Sequence, residues 1–143
     1  MTVRQISVFL ENRAGRMAEV TQILGENGVN IRAVSLADTH DFGIVRLIVN
    51  DVDQALTILR AKKFTVHDTE VIAVSIPDEP GGLAKTLDLF RREDVNISYL
   101  YGFVEKPGSS AILIFRFEEM ERAVEVIQKH GLRLLNGEEL YKL

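Results

Sequence analysis

Ala14-Gly15-Arg16-Met17-Ala18 returns as Pro80-Gly81-Gly82-Leu83-Ala84, and Gly28-Val29-Asn30-Ile31 returns as Asp94-Val95-Asn96-Ile97. Gly15 to Gly81 and Asn30 to Asn96 are both steps of 66 residues. Further along the step becomes 68, with Val45-Arg46-Leu47-Ile48-Val49 facing Leu113-Ile114-Phe115-Arg116-Phe117, so the second half carries a hairpin two residues longer. Self-similarity at one period makes the chain two copies of one supersecondary unit. The polar run His67-Asp68-Thr69-Glu70 interrupts two strand-like runs and marks the boundary, giving modules 1–69 and 70–143. No Gly/Ser-rich or Pro-rich linker separates them, so close packing is expected.

Each copy reads in the same order. Ile6, Val8 and Leu10, like Ile72, Val74 and Ile76, alternate with other residues at the period of a half-buried strand. Met17, Val20 and Leu24 then follow helical spacing up to Asn27-Gly28, and Leu83, Leu87 and Phe90 do so in the second copy. Residues 30–36 and 43–49 read as strands around the turn-rich 38–41, matched by 96–104 and 111–117 around 106–109. Val52, Ala55, Leu56 and Leu59, then Met120, Ala123, Val124 and Ile127, carry the i, i+3, i+4, i+7 stripe of amphipathic helices. Short strands near 64–66 and 132–134 close the units.

The order βαββαβ specifies an α+β fold of two ferredoxin-like modules, each an antiparallel sheet with both helices on one face. The remaining sheet face requires water or another module, and Leu140-Tyr141-Lys142-Leu143 is expected to add an edge element. Modules of this size are marginal alone, so pairing and a homodimer are expected.

The chain has 143 residues, 46% hydrophobic and 27% charged, a composition that supports a packed core. Its formal net charge is −4 and its Lys and Arg are scattered, which argues against nucleic acid and membrane surfaces as partners. The absence of cysteine closes disulfide, thiolate and zinc-thiolate chemistry and fits a reducing interior. The N-terminal residues alternate polar and apolar side chains, unlike a signal peptide, and no apolar run approaches the ~20 residues that span a bilayer, so a cytoplasmic location is expected. His40, His67 and His130 share no ligand spacing, and no P-loop, GxSxG or dinucleotide fingerprint is present, so no metal, cofactor or catalytic residue is assigned.

Asn12-Arg13-Ala14-Gly15 followed by Gly28-Val29-Asn30-Ile31 resembles the ACT domain family, and Asp78-Glu79-Pro80-Gly81 with Val95-Asn96-Ile97 repeats the resemblance. It covers both halves and implies tandem ACT-type modules. Such modules sense ligands and are commonly fused to enzymes of amino-acid metabolism, and they bind free amino acids between modules near the first strand-to-helix loop. The resemblance therefore implies a regulator or sensor of amino-acid metabolism, not an enzyme, acting on a partner enzyme or regulator of that metabolism.

In the first module the resemblance places ligand contacts at Leu10, Asn12, Arg13, Ala14, Gly15, Arg16, Met17, Asn30 and Ile31; in the second, at Asp78, Gly81, Gly82, Leu83, Asn96 and Ile97. The loop suits a carboxylate because the first N–H groups of a helix have no internal partner and carry the positive end of its dipole. In serine-sensing members, a side chain at the position of Asn12 and the asparagine at Asn30 hold the ligand's polar groups, and an amide both donates and accepts. Charge-assisted bonds of about 1.5–3 kcal/mol each, set against the cost of association, imply micromolar to millimolar affinity. Leu10 stands where some serine sensors carry histidine, and Ala14 where proline is frequent, so serine specificity is not carried over. Asp78 in place of the Asn12 amide repels a carboxylate, which makes the two loops inequivalent.

Each candidate has a plainer role. Asn12 and Asp78 precede helices and can cap them. Asn30 and Asn96 can be turn residues, and Gly15 and Gly81 can serve backbone geometry alone. Tyr99, Tyr101 and Phe103 share one strand face, read as core or module interface, and Arg13 and Arg16 can be solvated surface. Three other functions are open: a dimerising adaptor for a partner enzyme that binds no ligand, a small acylphosphatase-like enzyme using Arg13 and Arg16, and an RNA-binding sheet resting on Phe115 and Phe117, which the acidic balance disfavours.

Overall fold

The computed structural model describes residues 2–11, 13–38 and 41–143. The element order is β1 (Val3–Glu11), α1 (Arg16–Glu26), β2 (Ile31–Asp38), β3 (Phe42–Val49), α2 (Val52–Ala61), β4 (Thr65–Pro77), α3 (Gly82–Arg92), β5 (Ile97–Lys106), β6 (Ser110–Phe117), α4 (Met120–Lys129), β7 (Arg133–Leu135) and α5 (Gly137–Tyr141). The chain forms two compact units, Arg4–Thr69 and Glu70–Tyr141, with Val3 and Leu143 joining the second and Lys142 the first.

In the first unit β3 pairs antiparallel with both β1 and β2. The Phe9 and His67 rings meet edge-on at 5.7 Å, which sets the start of β4 beside β1. Ile6 faces Leu47 and Val8 faces Val45, all four buried, and Val20, Leu24, Ala55, Leu56 and Leu59 of the two helices are buried with them. In the second unit the order is β5-β6-β4-β7, all antiparallel. Ile72, Val74, Leu113, Phe115 and Phe117 form one sheet face that packs on Phe90 of α3 and on Ala123, Val126 and Ile127 of α4. Phe90 anchors this core, with ring centroids 5.5 Å from Phe115 and 4.9 Å from Phe117. On the other face, Tyr101 and Phe103 pair with Ile114 and Ile112, which are fully buried, whereas Tyr99, Tyr101 and Phe103 are half-buried.

The four long helices stop in one way. The residue three past the end of the helix sends its N–H back five residues: Val29 to the Leu24 carbonyl, Phe64 to Leu59, Val95 to Phe90 and Leu132 to Ile127. The residue before it must be left-handed, and the four are Gly28, Lys63, Asp94 and Gly131.

Two sequence expectations are corrected. His67-Asp68-Thr69-Glu70 is no break, because β4 runs unbroken through it. Polar residues remain extended there because the run has neither Gly nor Pro, and Arg4 Nε holds Asp68 at 2.9 Å while its Nη1 holds Asp53 at 2.9 Å. Residues 140–143 add no edge strand. Asn136 and Glu139 form a reciprocal capping box, each backbone N–H donating to the other's side chain at 2.9 Å, and this starts α5 and buries Leu140. The expected turn at 39–40, with His40, lies outside the described residues.

Candidate ligand clefts

The loops entering α1 and α3 share one geometry. Gly15 and Gly81 are the N-cap residues, at φ 88° and 84°, and neither helix has a side-chain cap. Left-handed backbone accounts for glycine at both positions, and a Cβ on either would meet nothing within 4 Å, so the space above each loop is open. Asn12 lies outside the described residues. Asp78 is not a cap: three residues stand between it and the start of α3. Instead its Oδ2 accepts from the Gly108 N–H at 2.8 Å, and its own N–H donates to the Ser109 carbonyl at 3.1 Å.

Beside the first loop lies a cleft of about 360 Å³ lined by Leu10, Glu11, Arg13, Arg16, Met17, Leu36 and Gly43. Beside the second lies one of about 320 Å³, walled by Ile76, Pro77, Asp78, Glu79 and Leu83 on one side and by residues of the β5–β6 hairpin, Gly102 and Ala111 among them, on the other. Leu10 and Ile76, Glu11 and Pro77, Arg13 and Glu79, Met17 and Leu83, and Leu36 and Gly102 all stand at the 66-residue step, and Gly43 and Ala111 at the 68-residue step. The repeat has thus built the same cleft twice, within the size range of small-molecule sites. Broader depressions of about 520 Å³ lie over the start of α4, lined by Glu118, Glu119 and side chains of the helix, and across α1 and α2, and neither adjoins the loops entering α1 and α3.

The first cleft is mixed in charge. Arg13 Nε lies 3.7 Å from Glu11, and both side chains are exposed. Arg16 is only one-fifth exposed: Nη1 bonds Glu19 at 2.7 Å, and the guanidinium sits 4.7 Å from the centroid of the Phe64 ring. Its Nε is buried and has no hydrogen-bond partner among the described residues. The second cleft presents only Asp78 and Glu79 as charged groups.

Leu10, Arg13, Arg16 and Met17, and in the second copy Asp78 and Leu83, therefore line clefts. Ala14, Gly15, Gly81 and Gly82 shape the loops without lining them. Asn30 and Ile31 stand elsewhere. Glu11 pairs with Phe42 and Ile31 with Val49, the two ends of β3, which at ~3.3 Å per residue puts them about 23 Å apart. Asn96 and Ile97 are likewise at the far end of β6 from Pro77. There the Asn30 N–H donates to Asn50 Oδ1 at 2.9 Å, and Asn96 Nδ2 donates to Glu118 Oε2 at 3.0 Å. The sequence reading missed Glu11, Leu36, Gly43 and the hairpin wall of the second cleft, because strand register brings them in from distant positions.

A sequence family described as an ACT domain pair matches residues 1–143. The chain belongs to the ACT domain pair family. A solved protein of Bacteroides thetaiotaomicron is 39% identical to this ACT pair, with 100% of this chain and 98% of that one covered at a TM-score of 0.93. The regulatory subunits of aspartate kinase from Thermus thermophilus, solved ligand-free, and Thermus flavus are 18% and 19% identical. Each comparison covers 88% of the ACT pair and 90% of the subunit, at TM-scores of 0.62 and 0.61, and these likenesses show the shared fold. No curated protein matches the sequence. Among the described residues, no group of three or more His, Asp or Glu is placed to hold a metal ion, and no helix is long and apolar enough to cross a membrane.

Proposed function

We propose that this ACT pair is a cytoplasmic, non-catalytic sensor that binds a free amino acid at the loop entering α1 and regulates an enzyme or regulator of amino-acid metabolism. The functional modules are residues 1–69 and 70–143. The observation that carries the reading is the first cleft itself. Open space above Gly15 at a helix N-terminus adjoins cationic Arg13 and Arg16 and anionic Glu11, the complement of a zwitterion. Family membership supports a regulatory role, and the aspartate kinase regulatory subunits share the fold.

Asn30 cannot reach a ligand in the cleft of its own unit, since the two stand at opposite ends of β3. If Asn30 takes part, it reaches a ligand held by another copy, which fits a homodimer. A thermal-shift screen against the twenty amino acids, repeated with Asn12→Ala, Arg16→Gln and Asn30→Ala, tests the reading, because a ligand of the native state raises its stability. A selective rise lost in Arg16→Gln supports it; no rise with any amino acid sinks it. The adaptor reading has its own support, since Val34, Leu36 and Phe42 are 50%, 58% and 55% exposed, and it would then stand.

A further inference from the structure

The two clefts occupy equivalent places and differ at every charged position. Going from the first to the second, Glu11 becomes Pro77, Arg13 becomes Glu79, and Arg16 becomes Gly82. The first cleft thus offers two cations and one anion. The second offers two carboxylates and no cation, so it repels the carboxylate that every amino acid carries. Its Asp78 is also engaged, held by the Gly108 N–H and tied through its own N–H to Ser109.

The walls differ as well. Leu36 projects beside the first cleft, 58% exposed, together with Leu10 and Met17. At the matching place in the second, Gly102 has no side chain, and a Cβ there would lie 2.4 Å from the Ile112 carbonyl and 3.2 Å from Leu113 Cδ1. Close approach of the neighbouring strand leaves no room for a side chain at this position, so the second cleft lacks the wall residue that Leu36 gives the first. Arg16 is also fixed in place by Phe64 and Glu19 while its Nε lacks an acceptor. A guanidinium offers five N–H donors in a rigid fork, so the bond to Glu19 leaves others for a carboxylate.

We infer that the first cleft selects an amino acid with an apolar side chain, and that the second cleft binds none, so each chain carries one ligand. In this arrangement Arg16 and the N-terminus of α1 receive the carboxylate, Glu11 the ammonium, and Leu10, Met17 and Leu36 the side chain. The inference rests on the amino-acid-binding reading and narrows it to a ligand class and a stoichiometry.

Calorimetric titration of the whole chain with L-leucine, L-methionine, L-alanine, L-serine, L-aspartate and L-lysine tests it. Leucine or methionine should bind about tenfold or more tightly than alanine, because each methylene in an apolar pocket counts at that level, and one equivalent should bind per chain. Leu36→Glu, at an exposed position that tolerates change, should abolish the preference; Arg16→Gln should weaken all binding. Preferential binding of serine, aspartate or lysine overturns the ligand class while the sensor reading stands. Two equivalents per chain, or binding that survives both substitutions together, overturns the single-site assignment. Binding of none of the six, with none of the twenty raising the melting temperature, removes the sensor reading itself.

Discussion

Asp78 accepts a hydrogen bond from the Gly108 backbone N–H at 2.8 Å, and so ties the loop before α3 to the tip of the β5–β6 hairpin. The bond gives a residue that reads as a helix cap a structural task of its own. Asp78→Ala should cost about 1 kcal/mol in chemical denaturation, and Asp78→Asn, which keeps an acceptor oxygen, distinctly less. Equal losses for the two would show that the bond contributes nothing.

Gly82 opens α3, where replacing glycine by alanine ordinarily gains about 1 kcal/mol. Here the added Cβ would lie 2.3 Å from the Pro77 carbonyl oxygen, so backbone must shift. Gly82→Ala is expected to destabilise by about 1–3 kcal/mol, the usual cost of overpacking. A gain on denaturation would show that α3 does not sit so close to the end of β4.

Asp94 and Lys63 hold left-handed backbone at φ 55° and 66°, where their counterparts in the other copy are Gly28 and Gly131. Asp94→Gly and Lys63→Gly should each raise stability, by about 0.5–1 kcal/mol, since relief of the left-handed strain outweighs the extra chain entropy of glycine. A fall in the melting temperature for both would contradict this account of the helix ends.

Phe90 is 1% exposed and touches both Phe115 and Phe117. Phe90→Ala should cost about 3–5 kcal/mol, a large share of what a module this small can hold, and a loss under 1 kcal/mol would mean that the cavity collapses. Unfolding followed by hydrogen exchange would place the loss in the second unit.

Glu93 gathers charge at the end of α3, with Lys129 Nζ at 2.9 Å and His130 Nε2 at 3.3 Å. Lys129, and then His130, hold its carboxyl below the usual glutamate range. A carboxyl with a lowered folded pKa stabilises above its unfolded pKa and loses that contribution as pH falls through the folded one. The stability gap between the native chain and Glu93→Gln should therefore be present above the ordinary carboxylate range and close in acid. A gap independent of pH down to strong acid would exclude the mechanism.

The sequence alone was enough for the repeat, both helices of each unit, the hairpins and the ferredoxin-like order. Each of these is written in local periodicity: Val52 to Leu59 or Ile6 to Leu10 show their buried side within a few residues. It also pointed to the α1 loop, through Gly15 and Arg16. Only the tertiary structure decided that β4 runs on through polar residues, that Asp78 belongs to a hairpin thirty residues away, that Leu36 and Gly43 wall a cleft, and that Asn30 stands at the far end of the sheet from it. The reason is that these facts depend on strand register and on which distant partner satisfies a polar group. Such pairings are non-local, and nothing in the residues adjoining Asp78 or Asn30 along the chain encodes them.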